Sequence, residues 1–227
     1  MNFSQNTGIS KKIKKYNKII SPQEVLQNYK AQFPRFLGEN IVTNGLVNYL
    51  DAGYVNSYPT TGTTWNNISG VSGGTGTLTN GPTYSTNAIR LDGVNDYISL
   101  PTSGVAPSTL TLEFWIKRHA NGGYFFVIDN SDNPELRLQF SSGYAQLTWY
   151  DDSAYIASFS SVAAITLDTW YNVSVTSQNN DFRLYINGVL DTADTSGTYT
   201  GSPSGNAGEH TLGTYNRPGA GYGGYAN

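Results

Sequence analysis

The chain has 227 residues, of which 13% are charged, 25 are Gly and none is Cys. It can therefore hold no disulfide, no thiolate nucleophile and no thiolate zinc site, and its two histidines are too few for a multi-histidine metal site. The net charge of −3 is divided between +6 in residues 1–36 (seven basic, one acidic) and −9 in residues 37–227 (six basic, fifteen acidic). Many Gly, Tyr and Thr residues favour short strands joined by tight turns.

The chain begins with a basic segment in which lysines are interleaved with apolar residues. Lys11–Lys18 contains Ile13 and Tyr16 between its lysines. We interpret this segment as a strand with its lysines on the solvent side, where they discourage pairing between sheet edges. A nucleic-acid site would need a wider basic face with exposed aromatic platforms. The basic segment on an acidic body therefore favours contact with protein, such as a neighbouring copy.

One helix is predicted, over residues 21–33. Ser21 suits the N-cap, Pro22 suits the first helical position, and Glu24 completes a capping box. Pro34 ends the helix, because proline removes a backbone donor and clashes with the preceding turn.

From Gly45 onward, strands dominate the prediction. Leu110–Arg118 alternates apolar and polar residues, which is typical of a half-buried strand. Asn187-Gly188 predicts a type I′ hairpin turn. About a dozen short strands with regular turn spacing favour a sandwich or jelly roll. No apolar run is long enough to cross a membrane, and the first 20 residues lack the apolar stretch of a secretory signal.

Four segments resemble the laminin-G-like, concanavalin-A-like family: Leu91–Ile98, Thr111–Ile116, Trp170–Thr176 and Leu184–Gly188. Residues 45–82 are more narrowly similar to a version of this domain that is common in virion proteins of tailed phages. The resemblance implies an all-β, concanavalin-A-like jelly-roll sandwich of two antiparallel sheets with one short N-terminal helix.

The order of segments departs from the family. Ile9–Tyr29 resembles the closing strand and trailing helix that the family carries at its C-terminus. We therefore divide the chain into residues 1–44 (basic strand, helix and connector, permuted) and residues 45–227 (the sandwich). The strand residues Ile9, Ile13 and Tyr16 are expected to complete a sheet. They do so within their own chain, or by adding to the open edge of a neighbouring copy. We favour closure within the chain; a fragment of a tandem array is a third alternative.

The sequence gives no support for an enzyme. Glycoside hydrolases of this fold carry two or three carboxylates that face a sugar cleft, and here Glu113 stands alone in its strand. We interpret Glu113 as structural. His119 and His210 lie outside any nucleophile-elbow context and are interpreted as surface residues.

Calcium is the metal that the loops favour most, because it prefers clustered carboxylate and amide oxygens. The alternative, which we prefer, is that these side chains cap turns. The candidates are Asp129, Asn130, Asp132 and Asn133 in one loop, and Asp92, Asn95 and Asp96 in another.

Carbohydrate binding would use exposed aromatic rings beside amide and hydroxyl groups. The alternative is that these rings pack in the core or in a contact between subunits. Trp115 and Trp170 are assigned to the core. The candidates for carbohydrate binding are Trp149, Tyr150, Tyr155, Tyr215 and Tyr222.

Together these patterns predict a non-enzymatic structural protein of a tailed-phage virion, as a capsid decoration, fibre or tail-associated module. The expected partners are other virion proteins or copies of itself, and host surface glycans, without nucleic acid or membrane insertion. The alternative is a carbohydrate-binding lectin module of a bacterial surface or secreted protein.

Overall fold

The computed structural model describes residues 8–31, 41–100, 109–130, 133–151, 154–178, 181–194, 210–217 and 221–223. Within them the chain forms one helix, α1 (Pro22–Lys30), and 18 strands. The strands are β1 (Gly8–Tyr16), β2 (Leu46–Asp51), β3 (Thr64–Trp65), β4 (Gly76–Thr79), β5 (Thr83–Ser85), β6 (Ala88–Arg90), β7 (Tyr97–Leu100), β8 (Thr109–Arg118), β9 (Tyr124–Asn130), β10 (Asn133–Ser141), β11 (Tyr144–Asp151), β12 (Ala154–Ala164), β13 (Trp170–Gln178), β14 (Asp181–Ile186), β15 (Val189–Asp194), β16 (His210–Leu212), β17 (Tyr215–Arg217) and β18 (Gly221–Gly223).

Two large antiparallel sheets form the body of the molecule. The first has the strand order β15-β14-β13-β8-β1-β6-β5, with β2 also paired to β1. The second has the order β12-β11-β10-β9-β16-β7-β4-β3, and β17 pairs with β18 in a small separate sheet. The prediction of an all-β jelly-roll sandwich with one short helix is confirmed.

The apolar core lies between the two sheets, because alternate residues of their strands point inward. Phe114 of the first sheet lies 5.1 Å from Phe126 of the second, between ring centroids. Trp149 of the second sheet lies 5.1 Å from Phe182 of the first. All four rings are almost completely buried.

Strand β1 is an interior strand of the first sheet of its own chain. Ile13 is paired with Phe114 of β8 on one side and with Leu50 of β2 on the other. The sequence predicted that the lysines of β1 face solvent. In the structure, Lys14 and Lys15 are each only 1% exposed. That prediction was wrong, because both faces of an interior strand can be covered, and here they are.

Helix α1 covers the outer face of the first sheet. It begins at the predicted capping box, in which the Glu24 N–H donates to Ser21 Oγ and the Ser21 N–H donates to the Glu24 carboxylate. It ends at Lys30, three residues before the predicted end. A second, smaller apolar cluster lies between helix and sheet and contains Tyr16, Ile20, Val25, Val42, Leu46 and Tyr185. The helix has nine residues, far fewer than the ~20 that a bilayer crossing takes, and the described residues hold no membrane-spanning helix.

The hairpin predicted at Asn187-Gly188 is present. Asn187 has φ 51° and Gly188 has φ 76°, the pair of positive values that a type I′ turn requires. The turn joins β14 to β15 at one edge of the first sheet.

Trp115 and Trp170 are half-buried and lie outside the main core. The Trp115 ring stacks on Tyr29 of α1, with 5.9 Å between centroids. The assignment of Trp115 and Trp170 to the core was therefore wrong: Trp115 points toward the helix because its neighbours in β8, Phe114 and Ile116, take the inward positions.

Candidate functional site

The outer face of the second sheet carries polar side chains. Leu136, Leu138, Leu147 and Trp149 take the inward positions of β10 and β11 and belong to the core. The intervening positions point away from the core. There Arg137 is paired with Thr148, and Gln139 is paired with Gln146 on one side and Tyr124 on the other. We call Tyr124, Arg137, Gln139, Gln146 and Thr148 the outer polar face.

Side chains of the outer polar face contact one another. Arg137 Nη1 donates to Tyr124 Oη at 3.1 Å, and the guanidinium lies 4.7 Å from the Tyr124 ring centroid. Gln139 Nε2 donates to Gln146 Oε1. Tyr124, Arg137, Gln139 and Gln146 are half-buried, so part of each remains accessible. Amide, guanidinium and phenol groups can together donate to and accept from neutral hydroxyl groups.

A β-bulge turns Tyr124 toward this face. The β9–β10 register shifts between Leu138 and Gln139, which breaks the alternation of side chains locally. Phe125 and Phe126 are both buried as a result, and Phe125 meets Phe114 edge-on at 5.1 Å. None of the residues of the outer polar face was predicted from the sequence to bind a ligand. The adjacent phenylalanines were the one available signal, since strict alternation would place one of them outside.

The aromatic residues predicted to bind carbohydrate are distributed over three places. Trp149 is 2% exposed and packs on Phe182 in the core. Its ring is therefore not on the surface, where sugar stacking would need it, because its position in β11 points inward. The other four residues lie in strands. Tyr150 of β11 is paired with Tyr155 of β12, and Tyr215 of β17 lies next to Asn216, which is paired with Tyr222 of β18. The side chains of these four tyrosines lie outside the described residues.

The first loop predicted to bind calcium falls largely outside the described residues. The backbone of Asp129 and Asn130 ends β9 and that of Asn133 begins β10, whereas Asp132 and all four side chains lie outside. In the described part of the chain, no group of three or more His, Asp or Glu side chains is placed to hold a metal ion.

The carboxylates of the second loop are engaged by its own backbone. Asp92 Oδ1 accepts from the N–H groups of Val94, Asn95 and Asp96 at 2.8, 3.2 and 3.3 Å. Asp96 Oδ2 accepts from the Asp92 N–H at 3.0 Å. Partial burial raises the pKa of Asp92, but the three N–H donors outweigh it and the pKa lies below its usual value. This geometry is that of turn capping.

A buried polar cluster lies between α1 and the first sheet, and Glu113 is its centre. Glu113 Oε1 accepts from Lys14 Nζ at 2.6 Å and from Asn172 Nδ2 at 3.2 Å. Its Oε2 accepts from Asn28 Nδ2 at 2.9 Å, and Asn28 also donates to Tyr16 Oη at 2.8 Å. We call Tyr16, Lys14, Asn28, Glu113 and Asn172 the Glu113 network.

The electrostatics of the Glu113 network follow from its burial. Lys14 and Glu113 are each 1% exposed. Burial lowers the pKa of Lys14, and the attraction of Glu113 opposes this shift without cancelling it. A charge buried here needs its partner, because an unpaired ion in the interior is strongly unfavourable. Glu113 therefore joins β1, β8, β13 and α1.

A second buried pair lies on the opposite face of β1, between the sheets. Lys15 Nζ lies 3.1 Å from His210 Nδ1 of β16. Burial lowers the pKa of Lys15 to about 8. Burial and the nearby Lys15 hold the pKa of His210 well below its usual value, so its neutral ring can accept a hydrogen bond from the lysine. His210 is 4% exposed, and the prediction of a surface residue was wrong, because β16 lies between β7 and β9 and points His210 inward.

His119 has a different setting from His210. Its side chain is 18% exposed and its Nδ1 contacts the Asp168 carboxylate, which is 68% exposed. The contact links the loop after β8 to the loop before β13.

Several solved structures resemble this fold. One, described as an HCR/D mutant, has a TM-score of 0.50 and 16% identity; the match covers 65% of this chain and 40% of the HCR/D chain. Domain 4 of AbnA, a GH43 extracellular arabinanase from Geobacillus stearothermophilus, in complex with arabinotriose, has a TM-score of 0.42, 18% identity and coverage of 69% and 74%. The carbohydrate-binding module CBM66 from Bacillus subtilis has a TM-score of 0.25, 9% identity and coverage of 49% and 84%. At 16% identity the likeness to the HCR/D chain concerns the fold alone.

Comparison with curated proteins found no match. A family profile described as the concanavalin A-like lectin/glucanases superfamily matches residues 92–225, which is more than half of the chain. The match includes β8 to β18 and with them the outer polar face and the strand of Glu113. The chain therefore belongs to the concanavalin A-like lectin/glucanases superfamily.

Proposed function

We propose that this protein is a non-enzymatic carbohydrate-binding domain that recognises glycans through its outer polar face. The observation that carries the proposal is the alternation in β10 and β11. Inward positions are apolar, whereas the outward positions that stay partly exposed offer two amides and a guanidinium beside the Tyr124 ring. Sugar recognition uses this combination, since hydroxyl groups need both donors and acceptors and the sugar ring packs on aromatic carbons.

The same geometry argues against glycoside hydrolysis at this face. A glycosidase mechanism needs a pair of carboxyl groups on either side of the scissile bond. None of the five side chains of the outer polar face is a carboxylate. Glu113, the strand carboxylate that the sequence singled out, is buried beneath α1 and bonded to Lys14, Asn28 and Asn172.

We further propose that the domain serves in the virion of a tailed phage, as a decoration, fibre or tail-associated module that adheres to host glycans. The similarity of residues 45–82 to a version of the domain common in such virions supports this role. The chain also has no cysteine, so its folding needs no oxidising compartment, which suits assembly inside a cell. Its partners are then other virion proteins or copies of itself. A lectin module of a bacterial surface or secreted protein is the alternative.

A glycan array, followed by titration of the best ligand, tests carbohydrate binding. We expect the double variant Gln139→Ala/Gln146→Ala to bind about tenfold more weakly or worse, because it loses two amide groups. Thr83→Ala, at the far edge of the first sheet, is the matched control and should bind as the unmodified protein does. Equal affinity of the double variant, or no glycan bound at millimolar concentration, would refute the proposal.

Proteomics of purified particles tests the virion role separately. We expect the chain in fixed stoichiometry with the major capsid or tail proteins. Its recovery only from cell envelopes would exclude a virion role and favour the lectin module, and this outcome is independent of whether the outer polar face binds glycan.

A further inference from the structure

The Glu113 network brings an amine, a carboxylate and a carboxamide together in the buried interior. Lys14 Nζ and Asn172 Nδ2 both donate to the same oxygen, Glu113 Oε1, at 2.6 and 3.2 Å. Lys14 and Glu113 are each 1% exposed and Asn172 is fully buried. Because they share one acceptor atom, the amine of Lys14 and the carboxamide of Asn172 are held side by side.

We propose that Lys14 and Asn172 react to form an intramolecular amide cross-link, with Glu113 transferring the protons. Glu113 takes a proton from the Lys14 ammonium, and the free amine attacks Cγ of Asn172. A bond forms between Nζ and Cγ, the bond between Cγ and Nδ2 breaks, and the protonated Glu113 gives its proton to the leaving nitrogen and then takes the second proton that Nζ sheds. The products are one secondary amide, one molecule of ammonia and the protonated Glu113, whose proton leaves with the ammonia as ammonium, so the reaction needs no oxidant or cofactor.

Each step of the proposed reaction has a side chain positioned to assist it. Burial lowers the pKa of Lys14, which brings its amine closer to the neutral, nucleophilic form. Ser174 Oγ donates to Asn172 Oδ1 at 3.2 Å, which draws electrons from the carbonyl that is attacked. Glu113 lies within hydrogen-bond reach of both nitrogens, as an acid–base group must. Side chains held as neighbours in a buried site also replace a diffusional encounter.

Asn172 is the favoured partner over Asn28. Asn28 donates to Glu113 Oε2, the oxygen that Lys14 does not contact, and its Oδ1 accepts from the Val42 N–H at 2.8 Å. A bond between Lys14 and Asn172 would join β1 to β13, the two strands that flank β8. It would give this cysteine-free chain a covalent link of the kind that disulfides give to others.

Mass spectrometry of the full-length denatured protein tests the proposal without any variant. We expect a mass lower than that of the sequence by one ammonia, and a peptide map with one branched peptide that contains Lys14 and Asn172. Trypsin should fail to cleave after Lys14. Succinimide formation at an asparagine loses the same mass but yields no branched peptide, so the map separates the two.

Two variants sharpen the test. Glu113→Gln keeps the size of the side chain and removes the base, and we expect it to have the full mass and no branched peptide. Lys12→Arg is the matched control, since Lys12 also meets a carboxylate, that of Asp51 at 3.0 Å, but is 28% exposed; it should keep the cross-link. An unmodified protein of full mass, or a branched peptide at Asn28, would overturn the proposal.

Discussion

The two outer faces of the sandwich use polar residues in different ways. Beneath α1, the polar side chains of the first sheet are completely buried and satisfy one another around Glu113. On the second sheet, the corresponding positions hold neutral amides and a guanidinium that stay partly accessible. Since a covered polar group must find its partner inside the protein, the first face contributes to stability and specificity of pairing. The second face retains capacity for an external ligand.

The largest effect is expected from breaking the ion pair on the covered face. Lys14→Met removes the amine of the Glu113 network, both as the cation of Glu113 and as the nucleophile of the proposed cross-link, and we expect a loss of about 3–5 kcal/mol or more in the free energy of unfolding. Urea denaturation measures it. The double variant Lys14→Met/Glu113→Leu removes both charges and should recover part of the loss. A single variant as stable as the unmodified protein would show that the pair is dispensable.

The inner face of β1 should make stability depend on pH. The pKa of His210 in the folded protein lies well below 6.5. The free energy of unfolding therefore keeps its full value with respect to His210 above about pH 6.5, and it decreases as the pH falls toward the pKa of the folded protein. The pKa of Lys15 is lowered from 10.5 to about 8. The unfolded chain therefore binds more protons between these values, and stability should rise as the pH rises from about 8 to about 10.5.

Thermal unfolding at a series of pH values checks both slopes. His210→Gln should flatten the rise in stability on the acidic side and leave the alkaline rise, whereas Lys15→Met should reduce the alkaline rise to the part that Lys14 contributes. An acidic slope that persists unchanged in His210→Gln would mean that other groups cause it.

A smaller effect is expected from weakening helix α1, which covers the outer face of the first sheet. Ser21→Ala removes the N-cap acceptor of α1 and should cost about 1 kcal/mol. Hydrogen exchange should quicken in α1 and in β1 beneath it, while glycan binding by the second sheet stays unchanged. Ser85→Ala, at an exposed strand end, is the control. Faster exchange in β10 and β11 would contradict the independence of the two faces.

The smallest effect on stability is expected on the open face. Gln139→Ala removes a half-buried amide and should change the free energy of unfolding by about 0.5 kcal/mol or less, while glycan affinity falls. Urea denaturation and glycan titration of the same sample measure these two effects together. A loss of stability as large as that of Lys14→Met would make the outer polar face structural.

Local patterns predicted much of the fold. The alternation in Leu110–Arg118, the capping box at Ser21 and the Asn187-Gly188 turn each depend on residues close in sequence, and each matches an element of the structure. Such short-range rules describe where strands and turns form.

The sites depended on neighbours that are distant in sequence. Whether Lys14 and Lys15 face water depends on β8 and β16 and on the position of α1, and nothing within Lys11–Lys18 specifies these. The bulge that turns Phe125 inward arises from the pairing of β9 with β10. The burial of Trp149 likewise depends on which face of β11 points toward the core. Alternation along β11 does not decide this, because aromatic residues occupy adjacent positions of the strand, Trp149 and Tyr150.

The interior position of β1 also constrains the order of folding. Lys14 and Glu113 are 99 residues apart, and Lys15 and His210 are 195 apart. During synthesis β1 emerges before β8 and must wait for it before its main pairing can form, and contacts so distant in sequence make folding slow. Until then β2 and β8 border a vacant gap in the first sheet. Where many nascent copies are concentrated together, we expect that gap to accept β1 of a neighbour in some copies. Slow closure and high local concentration should then favour exchanged dimers over single chains.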